Sequence, residues 1–278
     1  MDLKLVDYLL YEPEPETGIL WIKFNRPERL NALLGVQGPD GSVFKLLEYM
    51  RAGDDDPNIR VMVVTGVGRA FCAGIDVRRG ESQRSDAEAR PQGPDANRQQ
   101  FYHVTTPPFL EISRMVRKPT IAMVNGVAVG MGMDIALHCD IRIGCEHTRF
   151  LGYQTVGQIP ENGALYHLPR LMGLGRALEF VYTGSLSAED AYRTGVLNRL
   201  VPSEQLEAET RALCERIVKN PPLVQWISKR IMRAALDSSI ETTMVMTSNV
   251  AGILATSEDG REARAAVAEK REPRFQGR

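Results

Sequence analysis

Apolar positions along this chain follow two regimes. In the front part they come as short runs bounded by turn residues. Gly18 to Phe24 reads as a strand, Arg60 to Thr65 as a buried parallel-type strand because it is apolar without alternation, and Thr120 to Val124 as a buried β-branched strand ended by Asn125-Gly126. Asp140 to Gly144 is a further strand. Helices are expected at 42–51, at 101–116 with a kink near Pro107-Pro108, and from about Met131 to His138. Beyond Gly163 the spacing is helical almost to the end, over 164–172, 175–182, 187–194, 203–219, 222–236, 239–256 and 258–270. Alternating strands and helices in front with helices behind predict an α/β domain with a helical C-terminal region. No internal repeat is evident.

The connections carry the more unusual chemistry. Asn25 to Leu33 reads as a turn into a helix with Asn31 as cap or turn residue, and Gly35 to Gly41 interrupts that helix. Asp54-Asp55-Asp56-Pro57 reads as a solvated turn, and 78–97, polar and without apolar periodicity, as a mobile surface loop. Two turns are rich in glycine, Gly66 to Asp76 and Asn125 to Gly132. In the second, glycines at 126, 130 and 132 remove side chains where a helix should begin, near Met131. Such a junction leaves backbone N–H groups aimed at whatever lies in front of the helix. That is equipment for holding negative charge as it develops on a carbonyl oxygen.

Composition narrows the function. With 278 residues, 43% hydrophobic and 25% charged, the chain can bury a large core. A net charge of −1 gives no global field for nucleic acid or a membrane surface. No stretch approaches the roughly 18 apolar residues of a membrane span, and Met1-Asp2-Leu3-Lys4 lacks a basic-then-apolar secretory pattern, so a cytoplasmic protein is expected. Cys72, Cys139, Cys145 and Cys214 form no C-x-x-C pair and read as core thiols. His103, His138, His147 and His167 form no ligand pair, so no metal is expected, and the last three read as structural histidines among apolar neighbours. The spacing G-x-x-x-G-x-G over 126–132 is not the dinucleotide fingerprint.

Several segments, in order and at matching spacing from about residue 16 to 275, resemble the crotonase superfamily, the enoyl-CoA hydratase/isomerase family. They are Asn25-Arg26-Pro27 through Leu33, Ala70-Phe71-Cys72-Ala73-Gly74-Ile75-Asp76, Lys118-Pro119 through Asp134, Ser187 to Ala191, Gly195 to Asn198, and the tail Glu269 to Phe275. The resemblance implies a crotonase-like spiral of ββα units over 1–200, with a C-terminal helical trimerisation region over 201–278, and a homotrimer or hexamer. It implies an acyl-CoA thioester substrate and no separate cofactor, coenzyme A entering as part of the substrate. By motif position the thioester oxygen meets the backbone N–H groups of Cys72 and Met131. Arg29, Leu30, Ala32, Ala70, Ala73, Gly74, Ile75, Asp76 and Gly130 match the substrate channel, and Lys270 the tail that approaches the CoA phosphates.

Hydratases of this family carry two glutamates. Here the first position is Asp134 and the second falls on Tyr153 or Gln154, so one carboxylate of the pair is missing. Hydration needs a water held between two acid/base groups. Glu161, following Pro160, matches a position where family isomerases carry an acid. Double-bond migration needs one carboxylate, so the expectation is an isomerase with Glu161 as principal base and Asp134 as second acid/base. The alternatives are a hydratase or lyase working from Asp134, a carbon–carbon bond hydrolase, weakened by Asn162 where related enzymes have an acid, a dehalogenase, and a non-catalytic acyl-CoA binder. Apart from the resemblance, Asp134 reads as a helix-start residue satisfying its own backbone, Glu161 as a helix-start charge, and Cys72 as an inert thiol. Tyr102 and His103 are candidates for the acyl pocket, and Arg78, Arg79 and Lys270-Arg271 for solvated charge.

Overall fold

The computed structural model describes residues 3–35, 41–76, 106–152 and 157–278. Among them the strands are β1 (Leu9–Glu14), β2 (Ile19–Phe24), β3 (Val61–Gly66), β4 (Ala70–Cys72), β5 (Thr120–Val124), β6 (Val127–Val129), β7 (Ile141–Gly144), β8 (Arg149–Leu151), β9 (Ser185–Ser187) and β10 (Arg199–Leu200). The α-helices are α1 (Ser42–Asp55), α2 (Thr106–Arg114), α3 (Met131–His138), α4 (Ala164–Met172), α5 (Leu174–Thr183), α6 (Ala188–Arg193), α7 (Leu206–Val218), α8 (Pro222–Ala235), α9 (Ile240–Thr256) and α10 (Glu258–Glu269).

The strands form two sheets, the larger in the order β1-β2-β3-β5-β7-β10 and the smaller in the order β4-β6-β8-β9. In the larger one only β1 is antiparallel, with Leu9 opposite Phe24; Ile19 then pairs with Val61, Met62 with Thr120 and Ile121 with Ile141, all parallel. Three times in succession a strand of the large sheet is followed by one of the small sheet: β3 by β4, β5 by β6, β7 by β8. This is a repeat of ββα topology with no repeat of sequence.

Period-two geometry explains why the strand runs are apolar throughout. Leu20, Ile22, Met62, Val64, Ala122 and Val124 join one buried cluster with Val43, Leu46 and Met50 of α1 and Ile135 of α3. Their alternating neighbours Ile19, Trp21, Val61, Val63, Ile121 and Met123 join a second cluster with Leu206 and Cys214 of α7. A strand covered on both faces has no polar side to show. Behind the sheets the helices bury less: α8 buries only Pro222, and α9 has no buried residue.

Several expectations need correction. The strand β1 was absent from the sequence reading because Pro13 and four nearby acidic residues, Glu12, Glu14, Glu16 and Asp7, mask an edge strand. The turn at Asn25 leads to a 3-10 turn, Pro27–Arg29, and then to an extended contact of Leu33 with Ile75; among the described residues no α-helix precedes Ser42. Asp54 is not solvated: it is 8% exposed and accepts the backbone N–H groups of Arg117 and Lys118, both at 2.9 Å. His147 is exposed and pairs with Glu146 at 3.4 Å instead of packing in the core. The Arg78 to Asn97 segment, Arg78, Arg79, Tyr102, His103, Tyr153, Gln154 and most of the Gly35 to Gly41 insert lie outside the described residues.

Candidate active site

Strands β4 and β6 are parallel neighbours with Cys72 opposite Ala128, so both deliver the chain to the same end of the small sheet. From β4 the chain leaves through Ala73-Gly74. From β6 it passes Gly130 into Met131, the first residue of α3. The two exits press on each other. A Cβ on Gly132 would overlap the Cys72 carbonyl oxygen and lie 2.8 Å from Cys72 Cβ. One on Gly74, which has φ +77°, would lie 2.6 Å from Val129 O and 3.6 Å from Met131 N. Only glycine permits this approach. The first intrahelical bond of α3 runs from Asp134 N–H to Gly130 O at 3.0 Å, so the first-turn N–H of Met131 lies ahead of the helical ladder.

Polar side chains fix the first exit. Asn31, at φ +59°, donates through Nδ2 to Ala70 O at 2.7 Å and Val67 O at 3.0 Å. Asn125 Nδ2 donates to Gly68 O at 2.7 Å and Gly66 O at 2.9 Å, tying the end of β5 to the turn before β4. Ala73 N–H donates to Leu30 O at 2.9 Å and Leu33 N–H to Gly74 O at 2.7 Å. The Arg26 guanidinium donates to Ala32 O at 2.6 Å and to Asp76 at 3.2 Å. Leu30, Ala32, Ala70, Ala73, Gly74, Ile75, Asp76 and Gly130 therefore gather around the two exits, with Arg29 exposed on the adjoining 3-10 turn. Lys270 stands at the end of α10, whose packing runs to α9. Beside it, a cleft of about 880 Å³ is lined by Glu258, Asp259, Glu262, Arg271 and Arg274. Its Arg271 and Glu262 pair with each other, and Glu272 lines the same cleft.

The side chain of Cys72 is fully buried, and burial pushes its thiol up to about 12, so no thiolate is present near neutrality. Cys139, Cys145 and Cys214 are also buried and free.

The two carboxylates differ in commitment. Asp134, on the first turn of α3, is 0% exposed, and its Oδ1 accepts the Ala164 N–H that opens α4, at 3.0 Å. It thereby satisfies the first N–H of another helix. Glu161 lies in the turn between Pro160 and α4, is exposed, and has no hydrogen-bond or ion-pair partner among the described residues. That turn is fastened to α3, the helix whose first residue is Met131. A single helix thus carries one amide and steadies the segment bearing the open carboxylate. Sequence reasoning found both exits and both acids. It read Asn31 as a cap or turn residue and Asn125 as the residue ending a strand, but not that both side chains reach across to hold the turn before β4.

A threefold ββα repeat whose two glycine-relieved strand exits press on each other, with the Glu161 turn docked on the helix that starts at one of them, defines an α/β protein of the crotonase fold. The enoyl-CoA hydratase/isomerase family model matches residues 14–278, and the chain belongs to that family. It is 30% identical to a protein of Escherichia coli K12 named 1,2-epoxyphenylacetyl-CoA isomerase, over 95% of this chain and 97% of that one. It is equally 30% identical to the crotonyl-CoA hydratase of Syntrophomonas wolfei, over 96% and 97%. Among solved structures, an enoyl-CoA hydratase subunit from Geobacillus kaustophilus superposes with a TM-score of 0.81 at 32% identity, covering 98% of both chains. An enoyl-CoA hydratase/isomerase from Cupriavidus metallidurans superposes with a TM-score of 0.83 at 28% identity, covering 99% of this chain and 98% of that one.

Proposed function

We propose that this chain moves a carbon–carbon double bond in an acyl-CoA thioester, with the Cys72 and Met131 N–H groups on the thioester oxygen and Glu161 as base. The observation that carries this reading is the unequal state of the two acids. Asp134 is buried and engaged with Ala164, whereas Glu161 is exposed and unpaired among the described residues. In the reaction Glu161 takes a proton from the α or γ carbon, the electron pair passes to the oxygen held by the two amides, and the proton returns at the other carbon. Nothing is oxidised or reduced, and no cofactor is required beyond the CoA of the substrate. Each amide contributes about 3 kcal/mol of transition-state stabilisation, and the base contributes about 10² to 10⁴ in rate.

The isomerase name of the Escherichia coli relative supports this assignment, and the hydratase names at equal identity support the second reading, a hydratase or lyase working from Asp134. In a dienoyl-type variant of the first reading Asp134 is the second acid/base. We further infer that the chain assembles as a trimer or hexamer, since α9 buries nothing and displays Met244, Val245 and Ile253 to solvent.

The test offers 3-enoyl-, 2-enoyl- and 3,5-dienoyl-CoA to the wild type, Glu161→Gln and Asp134→Asn. Conversion of the 3-enoyl or dienoyl substrate, lost in Glu161→Gln, is the expected result. Hydration of 2-enoyl-CoA that survives Glu161→Gln and is lost in Asp134→Asn would select the second reading. Tight binding with no turnover of any of the three would mean a binding protein or a different acyl chemistry.

A further inference from the structure

We propose that His138 is a positioning residue for Glu161, holding the turn that bears that carboxylate through a ring-to-carbonyl hydrogen bond at Asn162. The proposal rests on the reading of Glu161 as the base.

Asp134 and His138 are four residues apart on α3 and so share one face of the helix. Both reach the segment that leads into α4, and they grip it on either side of Gly163. Asp134 accepts from Ala164 N–H at 3.0 Å, and His138 Nε2 lies 2.7 Å from Asn162 O. A carbonyl only accepts, so Nε2 carries the proton and donates. Nδ1 is then the acceptor, and its partner is the Ser113 hydroxyl on α2. The ring is thereby held in one tautomer by a chain of bonds running from Ser113 through His138 to Asn162. Burial keeps the imidazole neutral, pushing its pKa down to about 4, so this arrangement persists at neutral pH.

The turn is pressed against the ring as well as bonded to it. Gly163 has φ +115°, and a Cβ there would lie 2.6 Å from His138 Nε2. Phe109 at 5.0 Å and the edge-on ring of His167 at 4.7 Å, both between centroids, leave the imidazole no room to swing. An apolar residue would serve the core at this position without the cost of burying two polar nitrogens. What histidine adds is a donor directed at the carbonyl next to Glu161. Glu161 has no partner of its own among the described residues, so the backbone of 161–163 is what places its carboxylate.

The experiment follows exchange of the α-protons of hexanoyl-CoA into D₂O and, separately, amide hydrogen exchange over 157–168. Displacement of a catalytic group by about 1 Å costs up to about 10²-fold. His138→Leu is expected to lower the turnover number for exchange at least about tenfold with KM within about twofold. It should also speed amide exchange in 161–164 while leaving β5 and β6 protected. His138→Gln, whose amide can donate to Asn162 O, should recover most of the loss. In a Glu161→Gln background His138→Leu should cost less than about twofold, because both act through one carboxylate. An unchanged turnover number, an effect on KM alone, or an equal loss in the Glu161→Gln background would overturn the proposal. If Glu161→Gln itself exchanges like the wild type, the base assignment fails and the positioning role falls with it, even where amide exchange shows His138 fastening the turn. Should His138→Leu not fold, Ser113→Ala decides: a two- to fivefold fall in turnover number, about what one lost hydrogen bond gives, supports the relay, and no change refutes it.

Discussion

On the proposed reading Cys72 contributes its peptide nitrogen and not its sulfur. Cys72→Ala should therefore keep turnover within about threefold, whereas Gly132→Ala, which forces a methyl into the Cys72 carbonyl, should cost about 10²-fold in the turnover number. A steady-state assay of the two variants checks both. Glu161→Gln should abolish turnover by about 10² to 10⁴ while leaving the melting temperature unchanged, since the side chain is exposed and unpaired among the described residues. Asp134→Ala should instead destabilise the fold by about 1–3 kcal/mol in urea titration, because Ala164 N–H is left buried without its acceptor; Asp134→Asn keeps an oxygen there and should cost less. The identities of these residues were legible in the sequence because glycine spacing and a carboxylate at a given position are written in single letters. Their commitments were not: a partner such as Ala164, thirty positions away from Asp134, is set by how two helices meet.

At the scale of elements, α3 is the pivot, with Met131 at its start, Asp134 on its first turn and His138 on its last. Its buried histidine gives the fold an acid limb. Burial lowers the His138 pKa from 6.5 to about 4, so between those values the unfolded chain binds a proton that the folded chain does not. Stability therefore rises with pH across that window and is lost as pH falls through it, by about 1.4 kcal/mol per unit for this group. Half-buried His167, its pKa lowered to about 3, adds a slope of the same sign, so urea midpoints between pH 7 and 4.5 should show the sum of the two and His138→Leu should remove only its own share. The strands β3 and β5 and helix α3 were legible because burial on both faces makes a strand continuously apolar and because α3 begins at a glycine junction. The small sheet was not, since strands of three residues such as β4, β6 and β8 carry too few positions to show a period.

For the whole molecule, the crotonase fold was read from segments spread along the chain, while the topology that brings β4 beside β6 has no local sequence signal at all. The helical end raises a separate expectation. With α9 unburied and Met232 of α8 and Leu236 just after it exposed, light scattering should give a trimer or hexamer mass, and Met244→Glu with Ile253→Glu should dissociate it. The central claim is that the Cys72 and Met131 amides meet at one thioester oxygen, and the carbonyl stretch of a bound acyl-CoA, ¹³C-labelled at that carbon, reports on it most directly. The account predicts a shift to lower frequency on binding to the wild type that Gly132→Ala removes and Glu161→Gln retains. A carbonyl band at its free-solution position in the bound wild-type complex would contradict it.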